Sequence, residues 1–405
     1  MVETEQCKPL RHCLACGSGR LVTYCDLGSQ PLANTYHDGL QDLPTFPLAI
    51  NVCENCWHSQ LTHAVDPDLL FKDYAYVSGT TQTLSDYFDA FVEQVIDEFP
   101  FRCLSVLDIA GNDGSLLAKF AARGHDVMNV DPAENLTATS VANGVPTLCE
   151  YWGVDTYLAL DKQYDAIVAM NVLGHVSNPL AFLIGCRNAL ADGGKIWIQT
   201  SQAFMVPDGQ FDTAYHEHHS YFSAISFLTL AARAGLTVES VSQPAIHGGS
   251  YLWMLSIGGA SDASVDGLLD TEDERGYYDI ATYSAFGDAA QATATWLYQI
   301  VDEYRDAGYA CVGYGAAAKG MTLLNYSAVT LDLIVDDNLL KVGLLTPGSD
   351  IPILSTQALT KIDDPLCCVI LSWNFAEEIK RRIKAVRDRD DDVFVQCFPS
   401  KSVTQ

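Results

Sequence analysis

The stretch "CLSVLDIAGNDGSLLAKFAARGHDVMNVDP" (103–132) decides the fold. An apolar run through Asp108 enters a glycine turn, Gly111 to Gly114, and continues with helical periodicity. A second apolar run, "HDVMNVDP" (125–132), ends at Asp131. Strand, turn, helix and strand in this order predict a parallel βαβ unit. "YDAIVAMNVLGHV" (164–176) and "GKIWIQTS" (194–201) read as two more strands, with helices between them. The fold class is α/β, with a doubly wound parallel sheet. "LTVESVSQPAIHGGSYLWMLSIGG" (236–259) holds two strands close together, as at an antiparallel edge of such a sheet.

Around this unit the 405 residues leave room for two or three domains. The first seventy residues are rich in Cys, Pro and turn residues, and a helix follows in "TLSDYFDAFVEQVIDEF" (83–99). A polar, acidic link is expected at 260–275, then a long helix at about 276–307. A second α/β unit reads as strand "YACVGYGAAAKG" (309–320), helix, strand "LDLIVDDN" (331–338) and strand "LCCVILSWNF" (366–375). The expected domains are therefore 1–72, 73–260 and 261–405.

The formal net charge of -28 argues against nucleic acid as a partner, because phosphates need a basic surface. An anionic small substrate would need a local positive pocket. No apolar run is long enough to predict a membrane span. "MVETEQCKPLRHC" at the start lacks the apolar core of a secretory signal. Thirteen cysteines without an export signal point to a reducing, cytoplasmic setting, and a monomer is expected.

Cys13 and Cys16 form one CxxC pair, and Cys53 and Cys56 another. Two such pairs offer four thiolates to one tetrahedral Zn²⁺, as a structural Cys₄ site requires. Gly17 and Gly19 suit the tight turn of a zinc knuckle. Cys7, Cys25 and His58 stand nearby as substitute ligands. The rival reading is a set of reduced thiols or a redox CxxC, but no thioredoxin-like pattern surrounds either pair.

The glycine turn lacks the third glycine of a dinucleotide fingerprint and the Gly-Lys-Ser/Thr ending of a P-loop. It still permits close backbone approach of a ligand at the carboxyl edge of the sheet. Asp131 stands where an acid can accept both hydroxyls of a ribose. An adenosyl ligand without phosphate, such as S-adenosylmethionine, fits these features. A plain βα turn with an incidental Asp is the alternative.

"QFDTAYHEHHSYFS" (210–223) packs three histidines, a glutamate and two tyrosines between Tyr215 and Tyr221. His216, Glu217 and His218 are too close in sequence to share one face of a helix, and no HExxH is present. In an extended segment, Tyr215, Glu217, His219 and Tyr221 would line one face, with His216, His218 and Ser220 on the other. Proton transfer is the better reading, since an unperturbed imidazole titrates near neutrality. A polar loop held by its own hydrogen bonds is the structural alternative. In the second α/β unit, Lys319 at a glycine-turn helix start could meet a diphosphate.

CxxC…CxxC, "YAYVSGTT" (74–81), "IAGNDGSLL", "NVLGHVSNP", "FDTAYHEHHSYFS", "HGGS" (247–250) and "GYGAAAKG" occur in this order. Together they resemble the zinc-containing sugar C-methyltransferases, over about residues 13–375. That family methylates C3 of nucleotide-linked 4-keto-deoxysugars. The resemblance implies a zinc-binding domain at 1–72, a Rossmann-like S-adenosylmethionine domain at 73–260 and an α/β nucleotide-sugar domain at 261–405. It implies His218 as the base that forms an enolate, with Tyr215 and Tyr76 as sugar contacts. Glu217 would orient the base or bind a sugar hydroxyl, and His216 would be a further donor. The cofactor would meet Gly111, Asn112, Asp113, Gly114, Asp131, Pro132, Asn171, Val172 and His175. The nucleotide sugar would meet Lys319, Tyr314, Ser250 and Asp337. The rivals are methylation of oxygen on a sugar or other small acceptor, and a silent module that only binds these ligands.

Overall fold

The computed structural model describes residues 6–39, 42–72, 82–201, 205–244 and 249–405. The chain divides into two compact units. The first comprises Met1–Val22, Val52–Ala203 and Glu217–Tyr278, and the second Thr23–Asn51, Phe204–His216 and Asp279–Gln405.

Five strands open the chain: β1 (Cys7–Pro9), β2 (Leu21–Pro31), β3 (Thr45–Cys53), β4 (Ser59–Leu61) and β5 (His63–Val65). Helix α1 (Asp68–Phe71) follows, then α2 (Gln82–Asp97). α2 buries Leu84, Phe88, Phe91, Val92 and Val95, the three-and-four spacing of one apolar stripe.

The sheet of the first unit alternates strands and helices. β6 (Ser105–Ile109), α3 (Ser115–Ala122), β7 (Asp126–Val130), α4 (Glu134–Ala142), β8 (Thr147–Leu148) and α5 (Val154–Leu160) come first. β9 (Tyr164–Met170), α6 (Pro179–Ala189), β10 (Leu190–Ser201), β11 (Ser220–Tyr221), α7 (Ala224–Arg233), β12 (Thr237–Ser242) and β13 (Ser250–Ser256) complete it. Seven of these strands pair in the order β12-β13-β10-β9-β6-β7-β8. β6 to β10 run parallel, and β13 pairs antiparallel with both β10 and β12. β6 and β9 are buried almost end to end, because helices cover both faces of a parallel sheet. Trp253 on β13 stacks on Phe227 of α7, ring centroids 4.2 Å apart, and its indole N–H donates to Thr200 at 2.9 Å.

The acidic stretch 260–275, expected as a link, contains helix α8 (Ala263–Glu274) of the first unit. Asp262 caps it by accepting the Ser264 N–H at 2.8 Å, while Val265 and Leu268 are buried. Only two apolar positions are needed to seat so polar a helix, too few to stand out as a period.

The second unit contains α9 (Ile280–Asp306), β14 (Ala310–Tyr314), α10 (Ala318–Ser327), β15 (Leu333–Val335) and β16 (Ile353–Leu354). β17 (Leu366–Ile370), α11 (Ala376–Val386), β18 (Val393–Gln396) and β19 (Ser402–Thr404) follow. Its sheet order is β16-β15-β14-β17-β18-β19, parallel except for β19. In each of these two sheets the first strand in sequence lies between two later ones, β6 between β7 and β9 and β14 between β15 and β17. The carboxyl end of that strand is where doubly wound sheets open a ligand crevice. Among the described residues, no helix is long and apolar enough to cross a membrane.

Replacing Trp253 with alanine removes a fully buried indole and its stacking partner's contacts. The first unit should lose about 3–5 kcal/mol of stability, measured by urea unfolding.

Candidate active site and metal centre

The four predicted cysteines converge. The Sγ atoms of Cys13, Cys16, Cys53 and Cys56 lie within 4.8 Å of one another. Cys13 and Cys56 are 3.6 Å apart, as are Cys16 and Cys53. A tetrahedron of sulfurs about 2.3 Å from Zn²⁺ has edges of about 3.8 Å, so the cluster fits the ion. Each knuckle is a local turn: the Gly17 N–H donates to the Cys13 carbonyl, and the Trp57 N–H to the Cys53 carbonyl, both at 2.8 Å. Gly17 at φ 80° supplies the left-handed residue that the first turn requires. Cys7 and Cys25 are not in the cluster, nor is His58.

The cofactor turn is built by a buried carboxylate. One oxygen of Asp131 accepts the Asn112 N–H and the other the Ala133 N–H, each at 2.8 Å. Asn129 accepts the Gly111 N–H at 3.1 Å. These contacts hold Ala110, Asn112 and Gly114 at positive φ and turn the chain sharply into α3. A Cβ at Gly111 would lie 2.5 Å from the Asn129 oxygen and 2.8 Å from Asp108, so no larger residue fits. Burial, with Asp131 and Asp113 close by, pushes the Asp108 carboxyl well above its ordinary range. One of its oxygens has no hydrogen-bond partner among the described residues. Asn171, at φ 57°, follows β9, and its side chain accepts from Gln199 at 3.2 Å. Acceptors fixed at the sheet's carboxyl edge, with no phosphate loop, suit the adenosyl group of S-adenosylmethionine. Pro132 and Val172 flank the same strand ends.

The histidine segment is not one extended strand. A turn falls at His216 and Glu217, and only Ser220–Tyr221 pair as a strand, so the expected alternation of two faces does not hold. His216 to Ser223 are all buried, with Tyr215 half-buried. The boundary between units falls here, with Tyr215 and His216 in the second and Glu217 and His218 in the first. Within the first unit the ring of His218 lies 4.8 Å from that of His175, edge to face. Burial, then the nearby His218 and His219, hold His175 well below its ordinary pKa. It is therefore a neutral imidazole, and its Nδ1 has no partner among the described residues. In the second unit the His216 Nε2 carries its proton, because it donates to the Phe46 carbonyl at 3.1 Å. Burial lowers the His216 pKa to about 4. Tyr76 lies outside the described residues. Ser250 is buried at the start of β13, paired with Ser201.

The second unit repeats the carboxylate device. Asp336, after β15, accepts the Ala316 N–H of the glycine turn and the Asn338 N–H, both at 2.7 Å. The neighbouring Asp337 instead takes the Tyr314 hydroxyl at 2.9 Å and pairs with Thr356 and Arg382. Lys319 lies 4.0 Å over the Trp373 ring and donates to Asn374. Burial lowers its pKa to about 8, against the pull of Asp212. Asp212 accepts the Trp373 N–H at 2.7 Å, and burial raises its carboxyl to about 6.

Sequence reasoning missed Asp336, Asp212 and Gln199. Asp336 follows the second strand as Asp131 does, but the adjacent Asp337 carries the same signal, so sequence alone did not separate them. Asp212 and Gln199 gave no signal, because their partners are distant in sequence.

Metal analysis should return about one Zn²⁺ per chain. Cys53→Ser should lower zinc retention and the melting temperature of the first unit, and a folded, metal-free parent would overturn the site. His216 supplies a pH test. Its folded pKa of about 4 is below the unfolded 6.5, so its neutral form stabilises the fold above pH 6.5. As pH falls from 6.5 towards 4, the parent should lose stability relative to His216→Asn by up to about 1.4 kcal/mol per pH unit. Parallel melting curves across that window would contradict this.

Three family models match the chain in succession. They are described as a zinc binding domain (residues 13–71), a methyltransferase domain (80–241) and a C-methyltransferase C-terminal domain (245–399). The chain is 28% identical over 387 residues to C-methyltransferase NovU of Streptomyces niveus, covering 92% of each. It is 33% identical over 99 residues to the ubiquinone biosynthesis O-methyltransferase of Roseobacter denitrificans, covering 24% of this chain and 40% of the relative. Magnesium protoporphyrin IX methyltransferase from Synechocystis PCC 6803, solved with bound S-adenosylmethionine, aligns over 43% of this chain and 79% of its own, at 14% identity and a TM-score of 0.34. Zn²⁺ and S-adenosylmethionine are the cofactors of this chain. The chain belongs to the zinc-containing, S-adenosylmethionine-dependent C-methyltransferases.

Proposed function

We propose that this C-methyltransferase methylates C3 of a nucleotide-linked 4-keto-deoxysugar, with His218 as the general base. The observation that carries the reading is the buried His218 set against neutral His175. Carbon must lose a proton before it can act as a nucleophile, and the C4 carbonyl acidifies the C3 hydrogen. S-adenosylmethionine, when bound, supplies an electrophilic methyl group. His218 takes the C3 proton and later releases it to solvent, while the electron pair delocalises onto the C4 oxygen. A neutral His175 adds no positive charge beside the base, which leaves His218 able to accept that proton. Tyr76 and Tyr215 are the proposed hydrogen-bond donors to the enolate oxygen; His216, expected as a further donor, has its one N–H committed to the Phe46 carbonyl. Glu217, next to His218 in sequence, orients the base or takes a sugar hydroxyl. Lys319, Tyr314, Asp337 and Ser250 are the proposed contacts to the nucleotide sugar. Lys319 is supported by its place at the start of α10, where free N–H groups favour an anion.

Carbon and oxygen acceptors are separable. Substrate incubated in D₂O with enzyme and S-adenosylhomocysteine should exchange hydrogen at C3, which an oxygen methyltransferase has no reason to catalyse. His218→Ala should retain substrate affinity and lose about 10²–10⁴ in methylation rate. Near-normal turnover by this variant would remove His218 as the base.

A further inference from the structure

We propose that Gln60 is a positioning residue that couples the cysteine site to the strand following His218. Its catalytic consequence rests on the reading of His218 as the base. Gln60 is fully buried. Its side-chain oxygen accepts the Leu14 N–H at 2.8 Å, and its side-chain nitrogen donates to the His12 carbonyl at 3.1 Å. Those two residues flank Cys13, so one amide fixes the backbone on both sides of a zinc ligand. The backbone of Gln60 pairs with Ser220, and that of Ser59 with Tyr221. The Leu61 N–H donates to the His219 carbonyl at 3.0 Å, which places the first fastened residue directly after His218.

Two further contacts fasten the same segment. His58, two residues beyond Cys56, is fully buried with Nε2 3.2 Å from the Ser220 hydroxyl. Its carbonyl accepts the Cys53 N–H at 2.8 Å. At the far end of α7, Arg233 donates to the carbonyl of Ala15, between Cys13 and Cys16. The chain from His219 to Arg233 is thus held to the knuckles at both ends. A pairing of only two residues is marginal by itself. Its register therefore depends on the knuckles that present β4. A misplacement of about 1 Å at a general base can cost about a hundredfold in rate, so loosening at the cysteines would reach the chemistry.

The test begins with the intact, zinc-loaded parent. Zinc is withdrawn with a chelator, and hydrogen–deuterium exchange is followed by mass spectrometry. Peptides covering 217–222 should lose protection by about tenfold or more, while peptides of β6 (105–109) keep theirs. Retained protection at 217–222 overturns the proposal, and so does equal loss in β6, which would make zinc a support of the whole unit. Gln60→Met supplies the second arm. It should keep one zinc and the parent's affinity for S-adenosylmethionine, with KM within about twofold and kcat lowered about tenfold or more. Unchanged kcat with zinc retained also overturns it. Should this variant not fold, the exchange measurement on the parent decides. A dispensable His218 would sink the reaction proposed above and leave the exchange result standing.

Discussion

A carboxylate that accepts two backbone N–H groups, buried in the first unit and half-buried in the second, is the constraint on which each α/β unit depends. A desolvated charge is costly unless hydrogen bonds replace the water it loses. Asp131 meets that requirement with Asn112 and Ala133, and Asp336 with Ala316 and Asn338. In both places the bond that satisfies the acid also fixes the turn after the first strand. The turn's positive φ values and the direction of α3 follow from that clasp, while Asn129 and Asp108 leave no room for a side chain at Gly111. The crevice at the sheet's carboxyl edge is therefore set by backbone bonds, before any ligand side chain is considered.

The proposed reaction needs an uncharged imidazole as base, in a chain whose formal net charge is -28. An acidic surface by itself would favour its protonation. Burial wins locally: His58 and His216 fall to about 4, and His175 falls well below its ordinary value. Desolvation acts at the ring itself, whereas exposed surface charges more than about a Debye length away are screened. His58, His175 and His216 are thus held neutral at the pH where the protein as a whole is strongly anionic.

The cysteine cluster and the downstream half of the histidine segment, from Glu217 on, are adjacent parts of one unit. β4 leaves the second knuckle and pairs with β11, so the cysteine site lies against the chain that follows His218. The same segment changes unit between His216 and Glu217. Its upstream half is anchored in the second unit, where the Trp373 N–H meets Asp212 and the Thr322 hydroxyl meets the Ala214 carbonyl at 3.0 Å.

Much of this was legible in the sequence. The strands of 103–201, the antiparallel edge at 236–259, the glycine turn and the four zinc ligands all depend on neighbours in sequence. Periodicity and CxxC spacing record such local order directly. Three features were not legible. The polar stretch 260–275 contains a helix seated by two apolar side chains. The histidine segment turns where an extended chain was expected. Asp336 makes the clasp while Asp337 faces Tyr314. The sequence by itself determined the α/β class, the zinc site and the motifs, because each is written in short-range pattern. Only the tertiary structure decided that His175 meets His218, that Gln60 joins the residues on either side of Cys13 to Ser220, and that residues 23–51 and 204–216 join the second unit. Those contacts form between segments far apart in the chain, where burial and hydrogen-bond satisfaction, rather than local propensity, select the partner.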